Sequence, residues 1–572
     1  MENQTIQYQS IPGNIKYEEL IVSIEQGQIK IPQFQRKFVW NIEETAGLID
    51  SILRGYPIGT FIIWWTNDRL RSIRNIGSFN FPNTPEGNMV QYVLDGQQRI
   101  TSLYVAFKGE KIKDENGRET DYSEIYVNLA AKPNDMIVLT KKSVIPESQL
   151  IRLVDLIGGS ITLLDKYRDY WDVIEKYQKI VKGYTFSKID VKNPPIEIAT
   201  EIFTRINVRG RTLSLFEIMT AKTYDESQNF DLSEKYDALI KRLALVNYDT
   251  ISASTILQAI SVCLKKECDR KTILGLGKQE FIDHWEYVKN ALECSIDYLR
   301  DFYRIPVSQL LPYDSLLVSL TYYFFKLKKP RPNTEQQCFL QDYFWRSVLT
   351  SRFSSATETK LAQDIKHMDE ILENIQPEYD EPVDITVDFI RTNGFFATGK
   401  AFIKGMLCLL ASQQPLSFKN NAIVRISNDY LKQANSKNYH HFFPKAYMQK
   451  AHPEIEYGIV NHIGNITIVD DFLNKREIRD NAPSIYIGRF CKENHNLETA
   501  LNSHMISAQS DWGVFENDYL KFLQNRLTWF SKELENRIIV TQADRIENPE
   551  EKMKDQTNKG GNHGSHHLQK RP

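Results

Sequence analysis

The sequence predicts an α+β protein of several domains, and three observations support this fold class. The chain has 572 residues, which at roughly 100–200 residues per domain allows about three or four domains. Residues 1–225 mix strand and helix signals, whereas residues 226–425 carry long amphipathic helical stretches. Beyond residue 426 the composition changes again, and five of the 11 histidines lie between 440 and 495. We therefore expect a mixed α/β domain (1–225), a mostly helical connecting domain (226–425), a third domain (426–540) and a disordered tail (541–572).

Composition and charge exclude several classes of protein. Lys plus Arg number 71 against 73 for Asp plus Glu, so the net charge is -2. This balance excludes a protein that coats nucleic acid through a high overall positive charge. Six cysteines without a CxxC pair favour reduced thiols and a cytoplasmic location. The first residues, MENQTIQYQS, show no secretory signal, and the apolar runs SLLVSLTYYFF and AFIKGMLCLLA are too short for a membrane span. We expect no membrane partner.

The N-terminal elements follow from local signals. Asn41 and Glu44 form a capping box that opens a helix, and Gly55 follows its predicted end. The run YPIGTFIIWW predicts a buried strand, and residues 89–94 predict a second one. An Asp-Gly turn at 95–96 then leads into the helical stretch QQRITSLYVAFK, which Gly109 ends.

Three polar islands in this region predict an anion site. They are IPQFQRKFVW (31–40), LDGQQRITSLY (94–104) and FTRINVRGRTLSLFEI (203–218). A helix that begins after Gly96 offers backbone N–H groups, and the guanidinium of Arg99 with that of Arg36 suits a phosphate. In the third island, Ser214 and Glu217 form a capping box after a loop that carries three arginines, at 205, 209 and 211. Taken singly, each island is also explained by turn chemistry and surface arginines.

The C-terminal third contains a candidate catalytic pattern, NYHHFFPK (438–445) followed by VNHIGNITIVDDFLNKREIRD (460–480). A strand ends in His440 and His441, Asn465 opens a second strand, and a polar helix near Asp471 carries Asn474. A histidine suits proton abstraction from water near neutral pH, and phosphodiester hydrolysis also needs a positive centre on the phosphate. The alternative is a β-turn with hydrogen-bonded histidines. His452 and His462 lie off the pattern, as expected of supporting or surface residues, and the cations Lys445, Lys475 and Arg476 are either phosphate contacts or a solvated face.

This C-terminal pattern resembles the ββα-metal nucleases of the HNH superfamily, in the version headed by an HHxFP motif. The resemblance implies that His440 and Asn474 hold one divalent cation, either Mg²⁺ or Mn²⁺ or Ni²⁺. It also implies that His441 is the general base and that Asn465 orients the loop that carries it.

The motifs QRKFVW, DGQQRITSL and FxRINxxGxxLSxxEI resemble the DGQQR-signature domain with a ParB/sulfiredoxin-like core, which binds and hydrolyses nucleoside triphosphates or senses DNA. The resemblance implies a nucleotide site formed by Gln35, Arg36, Asp95, Gly96, Gln97, Gln98, Arg99, Thr101, Asn207 and Gly210. The pairing with an HHxFP nuclease resembles GmrSD-type modification-dependent restriction enzymes and related phage-defence nickases. The sequence departs from the family's pattern at one position: NVRGRTLS has an arginine before the glycine, where small or polar residues are usual. This leaves open whether the loop contacts nucleotide or nucleic acid.

The sequence therefore predicts an NTP-regulated, divalent-metal-dependent DNA endonuclease that acts on foreign, modified DNA in phage defence, with the helical middle coupling the two sites. Two alternatives stay open: a nucleotide-dependent DNA-binding or adaptor protein with an inactive nuclease remnant, and an RNA-directed HNH nuclease. The DNA modification, the preferred nucleotide base, nicking as against double-strand cleavage, and the oligomeric state, a homo-oligomer included, also stay open.

Overall fold

The computed structural model describes residues 10–31, 40–70, 72, 75–76, 79–80, 82–113, 119–140, 145–160, 165–206, 214–327, 331–428, 439–469 and 477–544. The chain divides into two compact units. The first consists of Met1–Lys235 and Leu274–Ile282, and the second consists of Tyr236–Ile273 and Asp283–Pro572. The predicted connecting domain and the predicted nuclease domain thus lie largely in one compact unit.

A mixed five-stranded sheet forms the centre of the first unit. Its strands lie in the order Ser10–Lys16, Thr185–Lys192, Thr60–Thr66, Val90–Asp95 and Ile29–Lys30. Thr60–Thr66 runs parallel to Thr185–Lys192 and antiparallel to Val90–Asp95. The sequence predicted both of these inner strands, the first from its continuous run of β-branched and aromatic residues. Phe61, Ile63 and Val93 are fully buried.

Smaller sheets complete the strands of this unit: Val138–Leu139 with Tyr126–Asn128 and Leu150–Arg152, Asn75–Ile76 with Phe79–Asn80, and Lys111–Lys113 with Glu119–Asp121. The helices along this part of the chain are Tyr17–Glu25, Ile42–Leu53, Gln97–Lys108, Leu153–Gly158, Trp171–Gly183, Ile196–Ile206 and Leu215–Thr223.

Local signals placed two of these helices correctly. Asn41 accepts a hydrogen bond from the Glu44 N–H (2.7 Å) and Glu44 accepts one from the Asn41 N–H (2.9 Å), so the predicted capping box is confirmed. The second capping box, Ser214 with Glu217, is also confirmed. Each box pairs two N–H groups that have no partner inside the helix.

The described part of the chain beyond residue 225 is mainly helical, which the sequence predicted for residues 226–425. Its helices are Leu232–Ala244, Ala253–Lys265, Arg270–Gly275, Lys278–Asp301, Asp314–Lys326, Thr334–Leu349, Thr357–Leu372, Val387–Asn393, Ala401–Ser412, Lys445–Ala451, Tyr457–Val460, Pro483–Glu493, Leu497–Asn502 and Tyr519–Glu535. None of the helices in the described ranges is long and apolar enough to cross a membrane.

A short antiparallel pair of strands, Tyr439–His441 with Ile466–Ile468, lies within the second unit. The sequence predicted both strands. The polar helix expected near Asp471 falls on residues 470–476, outside the described part of the chain.

The predicted disordered tail (541–572) includes four residues, 541–544, that the structure describes as ordered. Gln542–Asp544 forms a 3₁₀ turn, and Asp544 accepts a hydrogen bond from Arg346 Nη1 (2.9 Å) and one from the Val383 N–H (2.9 Å). Arg346 is almost fully buried, so this ion pair and its hydrogen bonds fix residues 541–544 to the helix Thr334–Leu349. Residues 545–572 lie outside the described part.

Candidate active site

The two strands of the hairpin place the histidine doublet in fixed register. His440 lies opposite Thr467, and His441 lies opposite Ile466. Successive side chains of a strand point to opposite faces, so the two imidazoles have different surroundings. His440 is only 3% exposed, whereas His441 is partly exposed. Directly after the doublet, Phe442 and Phe443 are fully buried and anchor the end of the strand.

The hydrogen bonds of His440 determine which ring nitrogen carries its proton. Nδ1 lies 3.2 Å from Thr467 Oγ1, and the Thr467 hydroxyl donates to the His440 carbonyl oxygen at 3.2 Å. Because the hydroxyl has a single proton, Nδ1–H must be the donor to Oγ1, and Nε2 keeps its lone pair. Nε2 is buried without a hydrogen-bond partner among the described residues. Burial lowers the pKa of His440 to about 3, so the ring is neutral at pH 7. A neutral imidazole with an unused lone pair is the form that binds a metal ion.

His441 is fixed in the opposite tautomer. Its Nε2 lies 3.0 Å from Asn461 Oδ1, and Asn461 Nδ2 donates to the Phe396 carbonyl oxygen at 3.1 Å. Because the amide nitrogen faces a carbonyl, the oxygen of Asn461 faces His441 and accepts from Nε2–H. The lone pair therefore lies on Nδ1. Burial, with the nearby charge of Lys445, lowers the pKa of His441 to about 4 against a smaller opposing effect of the Asn461 hydrogen bond. The neutral ring can accept a proton.

Asn465 fixes the chain that follows the doublet. Its Oδ1 accepts from the Phe443 N–H (2.8 Å), and its Nδ2 donates to the carbonyl oxygens of Phe443 and Val460 (3.0 Å each). The Asn465 carbonyl also accepts from the Phe442 N–H at 2.8 Å. One fully buried side chain thus satisfies backbone groups on both sides of the hairpin.

A buried arginine holds the same turn from the other side. Arg526 is fully buried, and it donates to the carbonyl oxygens of Gly464 (3.0 Å) and His504 (2.9 Å). Within the described ranges it has no carboxylate partner, and burial lowers its pKa to about 9. A charge held this way is costly, so the main-chain contacts that it makes must hold the turn tightly. His504 itself is buried and its Nε2 lies 2.9 Å from the Leu416 carbonyl.

A third stretch of chain pairs with the residues just before this turn. The Phe396 N–H donates to the Asn461 carbonyl (2.9 Å), and the Ile463 N–H donates to the Gly394 carbonyl (2.8 Å). His462, which lies off the predicted pattern, is buried and uses both ring nitrogens: Nδ1 accepts from the Gly464 N–H (3.0 Å) and Nε2 lies 3.1 Å from the Arg391 carbonyl. His462 is therefore a structural residue. His452 lies near the surface beside Glu454.

The predicted metal site stays a prediction, because part of it lies outside the described residues. Asn474 lies outside the described residues, as do Lys475 and Arg476. In the part of the chain that the structure describes, no three His, Cys, Asp or Glu side chains form a metal-binding group. The expected ligands are one imidazole and one amide, and such a pair does not form a group of that kind. The unpartnered Nε2 of His440 fits a cation.

The structure brings part of the predicted nucleotide site together in the first unit. Strand Val90–Asp95 ends at Gly96, whose φ of 94° only glycine adopts easily, and helix Gln97–Lys108 begins there. Gln97, Gln98 and Thr101 are buried in its first turns. Four predicted residues lie outside the described part: Gln35, Arg36, Asn207 and Gly210.

Arg99 makes contacts that the sequence did not predict. Its guanidinium donates to the carbonyl oxygens of Ile58 (2.8 Å) and Thr60 (3.1 Å) and to the Asp95 carboxylate (2.8 Å). A Cβ built on Gly59 would lie 2.2 Å from Arg99 Nη1, so that glycine makes room for the guanidinium. Arg99 therefore ties the strand Thr60–Thr66 to the turn after Val90–Asp95. Its phosphate contact stays a prediction.

Sequence reasoning missed three residues that shape the active site: Thr467, Asn461 and Arg526. Thr467 could have been found from the register of the two predicted strands. Asn461 and Arg526 have no local signal, because their partners lie 20 or more positions away in the chain.

Comparisons with known proteins agree with the N-terminal motifs. Residues 17–224 match the family described as GmrSD restriction endonuclease, N-terminal domain. The chain is also 23% identical over 518 residues to the uncharacterized protein MJ0686 of Methanocaldococcus jannaschii, an alignment that covers 82% of this chain and 85% of that protein. Residues 17–224 of this chain are therefore similar to the N-terminal domain of GmrSD restriction endonucleases.

Proposed function

We propose that this protein is a divalent-metal-dependent HNH endonuclease that cleaves foreign, modified DNA in phage defence, under the control of a nucleoside triphosphate bound by its N-terminal domain. The match of residues 17–224 supports a restriction endonuclease with DNA as substrate. The observation that carries the nuclease proposal is the pair of opposite tautomers in the doublet. His440 presents an unpartnered Nε2 lone pair and His441 presents Nδ1.

Each residue of the candidate site has a separate role in hydrolysis. Nδ1 of His441 takes a proton from the attacking water, and Asn461 keeps the ring in the tautomer that can do so. His440, through Nε2, and Asn474 would hold the cation. When bound, a divalent cation supplies positive charge to the scissile phosphate and the leaving oxygen. Asn465 keeps the chain after His441 in place.

The nucleotide proposal rests on the turn at Asp95 and Gly96. The ion pair between Asp95 and Arg99 is partly exposed, with 31% and 18% of the two side chains accessible. Among the hydrogen bonds that Arg99 makes to described residues, two go to main-chain carbonyls and one goes to a side chain, the Asp95 carboxylate. A phosphate could replace that carboxylate while the two main-chain contacts remain, and the start of a helix favours an anion.

A plasmid-cleavage assay with Mg²⁺, Mn²⁺ or Ni²⁺ tests the nuclease proposal. We expect chelator to abolish cleavage and these ions to restore it. His441→Ala should lower the rate by about 10²–10⁴-fold, and His440→Ala should weaken activation by metal. His452→Ala is the matched control and should cleave like the parent. Parental cleavage by folded His441→Ala protein would refute the assignment.

The same assay distinguishes the alternative functions. Substrates should include unmodified, glucosylated-hydroxymethylated and phosphorothioate DNA and single-stranded RNA, each with and without the individual nucleoside triphosphates. Preferential cleavage of one modified DNA that depends on a triphosphate supports the proposal. DNA binding without cleavage under all metals would favour the adaptor function, and preferential cleavage of RNA would favour the RNA-directed one.

A further inference from the structure

Two exposed aromatic rings of the second unit each lie under a lysine ammonium. Phe395 is 41% exposed, and Lys400 Nζ lies 5.6 Å from the centroid of its ring. Tyr457 is 63% exposed, and Lys445 Nζ lies 4.9 Å from its ring centroid and 2.9 Å from its hydroxyl. We call these four residues the aromatic–lysine surface.

This surface adjoins the residues that hold His441. A Cβ built on Gly458 would lie 3.8 Å from Phe395 Cδ2, so Phe395 lies beside the residue that follows Tyr457. The next residue, Phe396, places its ring centroid 6.4 Å from that of His441. Phe395 therefore lies one position along the chain from a ring that lies near the candidate general base.

The charges of the surface fit a nucleic-acid backbone. In the described part of the chain neither Lys400 nor Lys445 has a carboxylate within ion-pair distance, while other lysines of this unit, such as Lys419, do. Lys445 also lies four positions after His441 in the chain, at the start of the helix Lys445–Ala451. These two cations, which have no carboxylate partner among the described residues, would attract the phosphates of a DNA strand.

The rings add a preference for unpaired bases. In a duplex the faces of the bases are covered by their neighbours, whereas a single strand exposes faces that stack on aromatic side chains. A ring with an adjacent ammonium matches a nucleotide, which joins a flat base to a phosphate. The phosphates of a duplex would contact the lysines, but its stacked bases would make no contact with the two rings.

We propose that the aromatic–lysine surface binds an unpaired stretch of DNA next to the scissile phosphate, with bases on Phe395 and Tyr457 and phosphates on Lys400 and Lys445. This inference rests on the proposed function, because it names the form of DNA that the nuclease site receives. Substrates with a locally melted or displaced strand would then be cut faster than perfect duplexes.

Fluorescence anisotropy with the full chain carrying His441→Ala tests the proposal without cleavage of the probe. The probes are a labelled DNA strand of about 20 nucleotides and the duplex of the same sequence. Loss of one stacked base weakens binding by about 5- to 150-fold. We expect a decrease in this range for Phe395→Ala and for Tyr457→Ala with the single strand, and a smaller decrease with the duplex. Tyr457→Phe, which keeps a ring, should restore most of the affinity.

Tyr287, which is 67% exposed elsewhere on this unit, provides the matched control, and Tyr287→Ala should bind like the parent. The proposed role of the surface would be wrong, even if the parent cleaves DNA, in either of two cases. One is an equal loss of affinity in all three alanine variants, and the other is no loss of affinity for Phe395→Ala and Tyr457→Ala. Tighter binding of an RNA strand of the same sequence would overturn the assignment to DNA. If the expected losses occur but the parent with intact His441 cleaves no DNA, the surface stands and the proposed nuclease function fails.

Discussion

Replacement of Asn461 by leucine tests the hydrogen-bond system of the active site most directly. The substitution keeps the size of the side chain but removes the acceptor for His441 Nε2–H and the donor to the Phe396 carbonyl. His441 itself stays in place. Its ring loses the bond that fixes its tautomer and orientation, so proton abstraction by Nδ1 should slow while DNA binding is little changed.

The magnitude follows from the two bonds, of 3.0 and 3.1 Å. Asn461 is 6% exposed. A buried group left without its partner costs about 1–3 kcal/mol, so with two such groups the free energy of unfolding should fall by about 2–6 kcal/mol. One lost hydrogen bond in the transition state, at about 1.4 kcal/mol, corresponds to a tenfold lower rate. Asn461→Leu should therefore fall between the parent and His441→Ala.

Single-turnover cleavage of plasmid DNA, read beside thermal melts, measures both effects. Asn494→Leu is the matched control: Asn494 is also buried and donates to the Phe418 carbonyl and to Asn421, but it makes no contact with the doublet. Both variants should melt earlier, and only Asn461→Leu should cleave more slowly per folded molecule. Equal cleavage rates in the two folded variants would refute the role of Asn461.

Three further predictions concern other residues. Arg99→Ala should lower the free energy of unfolding by about 2–4 kcal/mol, because two carbonyls and a carboxylate lose their donor; an unchanged urea midpoint would contradict this, and calorimetric titration of triphosphate against the folded variant separately tests the phosphate contact. Gly394→Ala should melt earlier and lose cleavage, because its Cβ would lie 2.0 Å from His462 Nε2, whereas Gly399→Ala, with nothing within 4 Å, should behave like the parent. Burial lowers the pKa of His462 to about 4 and that of His504 to about 3. The unfolded chain, with histidine pKa values near 6.5, therefore binds more protons below that pH, so the stability present above pH 6.5 is lost as the pH falls toward 4, by about 1.4 kcal/mol per histidine at pH 5.5. A melting temperature that does not fall between pH 7.5 and 5.5 would contradict this.

The features that the sequence predicted depend on neighbours in the chain. The capping box of Asn41 and Glu44 spans three positions, and the turn at Gly96 joins a strand to the helix directly after it. The two strands around His440 were predicted one at a time, whereas their pairing joins positions about 27 residues apart. For the capping box and the turn, the interaction that decides the local structure lies within a few residues of the signal.

The features that the sequence did not predict depend on partners far along the chain. Asn461 meets His441 across 20 positions and Phe396 across 65. Arg526 reaches Gly464 across 62 positions. The pairing of Asp544 with Arg346 spans 198 positions and holds residues 541–544, which lie beyond the predicted boundary. A single sequence gives no periodicity or motif for such pairs, since tertiary packing selects them.

The pairing of residues 394–396 with 461–463 limits where this protein can be truncated or joined to a relative. A fragment that starts at residue 426 would contain every residue of the nuclease motif, yet it would lack the Gly394 and Phe396 carbonyls and the Phe396 N–H that pair with this stretch. Asn461 would lose the contact that sets the direction of its amide. The region that contains the motif therefore depends on residues that precede it in the chain, and the motif does not mark its boundary. A chimera that exchanges nuclease ends between relatives should be joined upstream of residue 387, where the helix Val387–Asn393 begins.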